Sequence, residues 1–238
     1  MSVFDGGSGR ARLALLISVG VTLALYFLPY GRTLARPLLW LSTWAHELGH
    51  GVAATLVGAR CQALNLYPDG SGTAPWTGSV GRVGQAFISA GGLCGPAVAA
   101  AVLFALARRP RMARHGLLVF AGALLVSDLL LVRTLFGLLF VGAFGAGCLI
   151  AALRASPAAA QPLVAFLAVQ LSLSVFSRAD YLFTATARTG AGTFPSDVAQ
   201  MASNLFLPYW FWGATCGAFS ILVLLAGLWI FLRSADRV

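Results

Sequence analysis

Long apolar stretches alternate with short polar segments along the whole chain, and this pattern predicts a bundle of membrane-spanning helices. About 20 helical residues cross the hydrocarbon core of a bilayer, because each residue adds about 1.5 Å. Six or seven stretches are candidate spans: Leu13–Tyr30, Leu38–Val57, Phe87–Ala107, Leu117–Val132, Leu135–Leu153, Leu163–Val175 and Phe211–Phe231. The number depends on residues 116–153, where only Arg133 and Thr134 indicate a turn between two helices. The predicted fold class is therefore all-α, a polytopic transmembrane helix bundle.

The first polar interruption, Arg60–Arg82, predicts a short hairpin directly after the second apolar stretch. The sequence PDG at 68–70 is a turn signature between two short extended candidates, and Asp69 is interpreted as a turn residue. Because no internal repeat or low-complexity linker divides the chain, residues 1–238 are interpreted as a single integral membrane domain.

The second polar interruption, Arg178–Asn204, predicts a short helix near its end. Ser196 and Asp197 precede or open the sequence DVAQMASNLF, and either side chain is a candidate N-cap. The aromatic sequence PYWFW follows, which is typical of a segment that anchors a span at the lipid headgroups.

Composition agrees with a membrane protein, since 59% of the residues are hydrophobic and only 10% are charged, against about a quarter in globular domains. The formal charge of +9 comes from arginine alone. Because the arginines lie mainly at the ends of the apolar stretches, they indicate membrane topology, and no nucleic-acid partner is expected. The basic sequence RRPRMAR predicts a cytoplasmic loop, with the N-terminus on the opposite side. The absence of lysine is compatible with a GC-rich bacterial genome, and we expect a bacterial inner membrane protein.

One motif carries chemistry: the sequence HELGH, from His46 to His50, inside the second apolar stretch. Two histidines four residues apart lie on one face of a helix and can share one Zn²⁺, and a third protein ligand leaves the fourth position for water. The metal lowers the pKa of that water, and Glu47 can act as its general base. The chain has one glutamate and three histidines, so an accidental match has odds of about one in several thousand.

The alternative, three polar side chains satisfied within a helix bundle, is disfavoured because each would cost roughly 2.5 kcal/mol in an apolar segment unless paired or functional. His46 lies nine residues after Pro37, which predicts a depth of about 14 Å. Small residues around Gly49 keep this helix thin and favour close packing of neighbouring helices. The third histidine, His115, follows the basic loop and is interpreted as interfacial.

HELGH in an apolar helix, the PDGSGT loop after it and SAGGLCGP opening the next span together resemble the site-2 protease family of intramembrane zinc metalloproteases. The later AD…SDVAQMA sequence resembles the compact site-2-protease-like branch, so that the resemblance extends from Trp40 to Trp212. It implies His46 and His50 as zinc ligands and Glu47 as the catalytic acid/base. It also implies that residues 64–77 pair with an unwound substrate as an added strand.

The third zinc ligand is open, because better-known members of that family carry an aspartate in an NPDG or LDG-like motif that this chain lacks. Asp197 is favoured, since SDVAQMA best matches the compact branch, with helix capping as its alternative role. Asp180 is the second candidate, and a pair with a nearby arginine would explain it equally well. Asp128 lies thirteen residues after His115, about 20 Å into its span, and a pair with Arg133, or with another arginine, is the favoured interpretation of that aspartate.

The resemblance implies an enzyme that hydrolyses a peptide bond of a membrane-anchored substrate within the lipid bilayer. The alternative is a proteolytically inactive, protease-like membrane protein that acts as a binding or regulatory partner, which the missing third-ligand motif favours. A small transporter is not supported, because the chain shows no repeat symmetry. The four cysteines are scattered and predict neither a disulfide framework nor a metal knuckle.

Overall fold

Helices dominate the computed structural model, which describes residues 7–177 and 181–235. In chain order they are α1 (Gly7–Phe27), α2 (Gly31–Leu34), α3 (Arg36–Leu56), α4 (Arg82–Ala107), α5 (Pro110–Leu130), α6 (Leu135–Arg154), α7 (Pro157–Ser177), α8 (Asp197–Leu205) and α9 (Tyr209–Ala235). Seven of the described helices have 20 or more residues, and each predicted apolar stretch lies largely within one of them. The predicted all-α helix bundle is confirmed.

Four of the described helices are long and apolar enough to cross a membrane: α4, α5, α6 and the segment Tyr209–Arg233 of α9. Two more, α1 and α7, contain shorter apolar segments, Leu15–Leu25 and Pro157–Leu173. The α3 helix has 21 residues, but its polar side chains lower its mean hydropathy. This protein is therefore an integral membrane protein.

The predicted turn between α5 and α6 is confirmed. Thr134 is the N-cap of α6, and its hydroxyl accepts a hydrogen bond from the Gly137 amide at 3.3 Å, which satisfies one of the amides that a helix start leaves unpaired. The α5 and α7 helices each begin at a proline, Pro110 and Pro157. Proline at the first helical position is favourable, since no amide is needed there.

The predicted hairpin after α3 is also confirmed, and it consists of two short antiparallel pairs. Its strands are β1 (Arg60–Cys61), β2 (Asn65–Leu66), β3 (Gly72–Thr73) and β4 (Trp76–Thr77), with β1 paired to β4 and β2 paired to β3. In the turn, the amide and hydroxyl of Ser71 both donate to Asp69 Oδ1, at 2.9 and 2.7 Å. The interpretation of Asp69 as a turn residue is therefore confirmed.

The outer side of this hairpin is attached to the connection between α5 and α6. Leu64 forms a parallel bridge with Val132, and Leu66 exchanges hydrogen bonds with the Thr134 hydroxyl at 3.2 and 2.8 Å. On the helix side, Thr43 of α3 donates to the carbonyl of Gly70 at 2.6 Å. The hairpin is thus held on α3 by side-chain bonds, with residues 64–66 between the helix connection and β3.

A second hairpin, which the sequence pattern did not predict, lies between α7 and α8. Its strands are β5 (Thr186–Thr189) and β6 (Gly192–Pro195), paired antiparallel, and a single 3₁₀ turn, Tyr181–Phe183, precedes it. Its tip reaches the first hairpin, where the Gly190 amide donates to the Ser71 hydroxyl at 2.9 Å. The two hairpins therefore meet above α3.

Candidate metal centre

The α3 helix presents His46 and His50 on one face, as their spacing of four residues dictates. Their Nε2 atoms are 3.2 Å apart, and the ring planes are almost perpendicular at 87°. Glu47 and His46 are buried, with 4% and 7% exposure. His50 has a side chain that is 11% exposed. The polar face of α3 is thus enclosed by protein rather than turned toward lipid.

Asp197, at the start of α8, completes a cluster with these two histidines. His46 Nε2 lies 3.2 Å from Asp197 Oδ2, and His50 Nε2 lies 3.4 Å from Asp197 Oδ1. Within the described part of the chain, these three residues form the one group of at least three metal-ligating side chains with mutually close donor atoms.

Helix capping by Ser196 leaves the Asp197 carboxylate available for this cluster. The Ser196 hydroxyl accepts the Ala199 amide at 3.2 Å and donates to the carbonyl of Thr184 at 2.5 Å. Of the two predicted N-cap candidates, Ser196 is therefore the cap, and Asp197 is the first residue of the helix. A carboxylate at that position is also favoured by the positive end of the helix dipole.

The donor set and its spacing fit a zinc ion. Two imidazoles and one carboxylate are a common ligand set for zinc sites that keep an open position. Bond lengths of about 2.0–2.1 Å at tetrahedral angles place neighbouring ligand atoms about 3.3–3.4 Å apart. The three observed separations, 3.2, 3.2 and 3.4 Å, match that spacing.

The environment of His50 orients its ring for metal binding. His50 Nδ1 lies 2.8 Å from the carbonyl oxygen of Ile88 in α4. That oxygen can only accept, so Nδ1 carries a proton, and Nε2 is the nitrogen that would bind a metal after releasing its own proton. A side chain at Gly92 would occupy the same space, because a Cβ there would lie 2.1 Å from His50 Nε2. The absence of a side chain at Gly92 gives the ring its room.

Glycines also allow the two helices to come together. A Cβ at Gly49 of α3 would lie 2.2 Å from the carbonyl oxygen of Gly91, and one at Gly95 would lie 3.1 Å from the carbonyl oxygen of Ala45. The predicted thin helix around Gly49 is thus matched by GGLCG in α4. Small residues on both sides permit the backbone approach that membrane helices use for van der Waals packing.

Tyr181, in the 3₁₀ turn, is a further polar group at this cluster. Its hydroxyl donates to Asp197 Oδ2 at 3.3 Å, and its ring meets that of His46 edge-on, with centroids 6.1 Å apart. Burial raises the pKa of Tyr181 far above its ordinary value, and the charge of Asp197 adds to this effect. Burial alone would raise the pKa of Asp197, but the charge of His50 and the hydrogen bonds from both imidazoles hold it well below its usual range. A neutral phenol therefore faces an ionised carboxylate.

The cluster forms one wall of a cavity of about 560 Å³ that lies between the two hairpins. Residues 72–76 of the first hairpin and several residues of the second, among them Phe194, line its other sides. Glu47 lines it as well, and Gly72 lies directly over its carboxylate, since a Cβ there would be 2.6 Å from Glu47 Oε1. This volume is in the range of small-molecule and peptide-binding pockets.

Comparison with known proteins assigns the chain to a family. The model of the Peptidase M50B-like family matches residues 16–227, which includes α3, both hairpins and Asp197. The chain belongs to this family. No curated protein and no solved structure gives a significant match. The M50B-like assignment confirms the predicted relation to the site-2 proteases, and it supports a membrane metallopeptidase as the broad class of this protein.

Asp180 and Asp128 were the other two candidates for the third zinc ligand in this M50B-like chain. Asp180 lies outside the described residues. Asp128 lies outside the metal cluster and faces α6, where a Cβ on Gly142 would be 2.9 Å from Asp128 Oδ2. The predicted pair between Asp128 and Arg133 is wrong. Arg133 donates instead to the carbonyl oxygens of Val132 and Leu130, and Asp128 Oδ1 has no hydrogen-bond partner among the described residues. Arg133 follows the end of α5, where unpaired helix carbonyls are available.

Two components of the candidate site, Tyr181 and the β5–β6 hairpin, were not predicted from the sequence. The only local signal for the hairpin is the threonine- and glycine-rich sequence TARTGAGTFP, in which Gly192 adopts a φ of 134°. His115, which the sequence predicts to be interfacial, is exposed, and its Nδ1 lies 2.8 Å from the carbonyl oxygen of Arg111.

Proposed function

We propose that this chain is an intramembrane zinc metalloprotease that hydrolyses a peptide bond of a membrane-anchored protein. The observation that carries this proposal is the convergence of His46, His50 and Asp197 beside Glu47 in one cavity. His46 is the eleventh residue of α3, so it lies about 15 Å along that helix. That depth supports a substrate segment reached within the membrane, and a bacterial inner membrane is the proposed location.

In the proposed site, His46, His50 and Asp197 hold the metal. Zinc bound by such a set acts as a Lewis acid that lowers the pKa of water and polarises a carbonyl group. The Glu47 carboxylate accepts a proton from the attacking water, whose oxygen bonds to the carbonyl carbon while the C=O π pair moves onto the carbonyl oxygen. Glu47 then donates that proton to the amide nitrogen as the C–N bond breaks, which yields a carboxylic acid and an amine. Proton and electron counts balance without any further reactant.

The first hairpin supplies a binding edge for an extended substrate. One edge of residues 72–77 pairs with the strands at 60–66, while residues 72–76 line the cavity. A peptide added as a strand at that edge presents its amide bonds in extended form, whereas the backbone within a helix is shielded. We therefore propose that residues 64–77 pair with the unwound substrate, beside Glu47 and the metal ligands.

Metal analysis and one conservative variant test the proposal. Elemental analysis of the protein purified in detergent is expected to give about one zinc per chain, lost in His46→Ala and in Asp197→Ala. Glu47→Gln is expected to keep the zinc and to lose cleavage of a synthetic single-span peptide whose Leu/Ala helix contains a Gly-Pro break. The loss should be at least about 100-fold, the lower end of what general acid–base catalysis contributes.

The alternative function, a protease-like protein that binds partners without hydrolysis, makes the opposite prediction. It requires that the zinc-loaded wild type cleaves no better than Glu47→Gln, both on the peptide and on membrane proteins in cells. Wild-type cleavage that is insensitive to Glu47→Gln contradicts the proposed mechanism, even when zinc is present.

A further inference from the structure

The Tyr181 hydroxyl lies beside the candidate metal centre, and the proton transfers proposed above do not involve it. The 3₁₀ turn that carries it packs against α9 at Gly213, where a Cβ would lie 1.8 Å from the carbonyl oxygen of Leu182. Its hydroxyl is 3.3 Å from Asp197 Oδ2, the same oxygen that contacts His46. The glycine contact and the hydrogen bond together fix this phenol at the cavity wall.

Peptide hydrolysis is accelerated by a hydrogen-bond donor that is directed at the carbonyl oxygen. Negative charge develops on the carbonyl oxygen as water adds, and fixed donors aimed at that oxygen are among the largest contributions to catalysis. No arginine or lysine lines the cavity within the described part of the chain, and Glu47 serves as an acceptor in the attack. The donor that assists the metal must therefore be a neutral O–H or N–H group.

Three other neutral polar side chains that line the cavity have hydrogen-bond partners within the hairpins or at the start of α8. Thr189 donates to the carbonyl of Gly192 at 3.2 Å, and Gln200 donates to the carbonyl of Pro195 at 3.4 Å. Thr73 accepts a hydrogen bond from Asn65 of its own hairpin at 3.2 Å. Tyr181, in contrast, is bonded to the candidate metal ligand Asp197, and it lines the same cavity as Glu47.

We propose that Tyr181 is a catalytic residue that donates a hydrogen bond to the carbonyl oxygen of the scissile peptide bond during hydrolysis. In the absence of substrate the hydroxyl donates to Asp197, and it transfers this hydrogen bond to the substrate oxygen as charge develops there. The phenol keeps its proton throughout, so no bond to hydrogen is broken. This inference rests on the proposed protease function and adds the electrophilic group that His46, His50, Asp197 and Glu47 do not provide.

Tyr181→Phe tests the inference, because it removes the hydroxyl and retains the ring that packs on His46. We expect one zinc per chain as in the wild type, a kcat lower by about 10²- to 10³-fold and a KM that changes little, as for loss of one oxyanion donor. Direct titration with a phosphinic peptide, a tetrahedral analogue of the adding water and carbonyl, should show affinity weakened by a similar factor. Ser89→Ala is the matched control, since Ser89 is a second buried hydroxyl at the cavity, and it should leave kcat and analogue affinity near the wild-type values.

The possible results separate this inference from the proposed function. A Tyr181→Phe enzyme with wild-type kcat and analogue affinity overturns the catalytic assignment while the protease function stands. Loss of zinc in Tyr181→Phe also overturns it, because Tyr181 would then only position Asp197. A larger loss of kcat in Ser89→Ala assigns the donor role to Ser89 instead. If the wild type shows no cleavage, the protease proposal fails, and the phosphinic peptide titration still reports whether the Tyr181 hydroxyl contributes to binding a tetrahedral anion.

Discussion

Gly92→Ala is the smallest change expected to disrupt the candidate metal centre without altering any candidate ligand. Gly92 lies in α4 against the ring of His50, and a Cβ there would lie 2.1 Å from Nε2, 2.3 Å from Cε1 and 2.6 Å from Cδ2. Three atoms of the same ring are too close at once, so the overlap involves the ring as a whole. Either the ring or the α4 backbone has to move.

The size of that movement follows from the contact distances. Ordinary van der Waals contact begins at 3.4 Å, so Nε2 and the new methyl group must separate by roughly 1.3 Å. Metal–ligand distances tolerate deviations of about 0.2 Å. Changes that only disturb the surroundings of a ligand already lower metal affinity by about 10- to 100-fold. A displacement of the ligand itself by more than 1 Å is therefore expected to lower zinc affinity by at least about 100-fold.

Elemental analysis of the purified variant, followed by zinc titration against a competing chelator, measures this effect. Gly147→Ala in α6 is the matched control, because a Cβ at Gly147 meets nothing within 4 Å. Both substitutions raise helix propensity by about 1 kcal/mol, so poorer intrinsic helix formation does not explain a loss of zinc in one of them. A Gly92→Ala protein with wild-type zinc affinity refutes the assignment of His50 as a ligand in this geometry.

Three further substitutions test other parts of the site. Gly72→Ala brings a Cβ within 2.6 Å of Glu47 Oε1, and it should retain zinc while peptide cleavage falls by at least about 100-fold; cleavage at the wild-type rate contradicts this. Ser196→Ala removes the cap of α8 at a cost of about 1 kcal/mol, which thermal melting in detergent should detect, together with faster zinc loss to a chelator; unchanged zinc retention shows that Asp197 does not depend on the cap. Asp128→Leu removes a buried oxygen without a described partner, so the melting temperature should rise with zinc content unchanged. A lower zinc content would instead support Asp128 as a metal ligand.

The parts of the fold that the sequence predicted are those that depend on neighbours along the chain. A span needs only an apolar stretch of sufficient length, so the helix pattern could be predicted from hydropathy. His46 and His50 lie on one face of α3 because of the helical repeat alone. The turn at Asp69 depends on hydrogen bonds to Ser71, two residues away. Each of these is a local relation that residue type and spacing determine.

The position of Asp197 is not a local relation. It lies 147 residues after His50, and four long helices separate the two residues in the chain. Hydropathy locates apolar helices along the chain but does not show which of them are neighbours in the membrane, since lipid-facing and protein-facing apolar side chains are alike in type. Asp128 was a candidate zinc ligand because of its depth in its span. Its depth did not show that α5 directs this side chain toward α6. Only the resemblance to a compact protease branch favoured Asp197.

The roles of the glycines at the candidate site become visible only in the tertiary structure. In the sequence, Gly72, Gly91 and Gly92 indicate only a turn and small residues in a membrane helix. In the fold, Gly72 lies over Glu47, Gly91 lies against α3, and Gly92 leaves the space that His50 occupies. Three polar side chains in an apolar segment are costly unless they have partners, and these partners can approach only where neighbouring backbones carry no side chains. The positions without side chains are therefore as specific to this site as the metal-binding motif itself, and conservative substitutions at them should be as damaging as substitutions of the ligands.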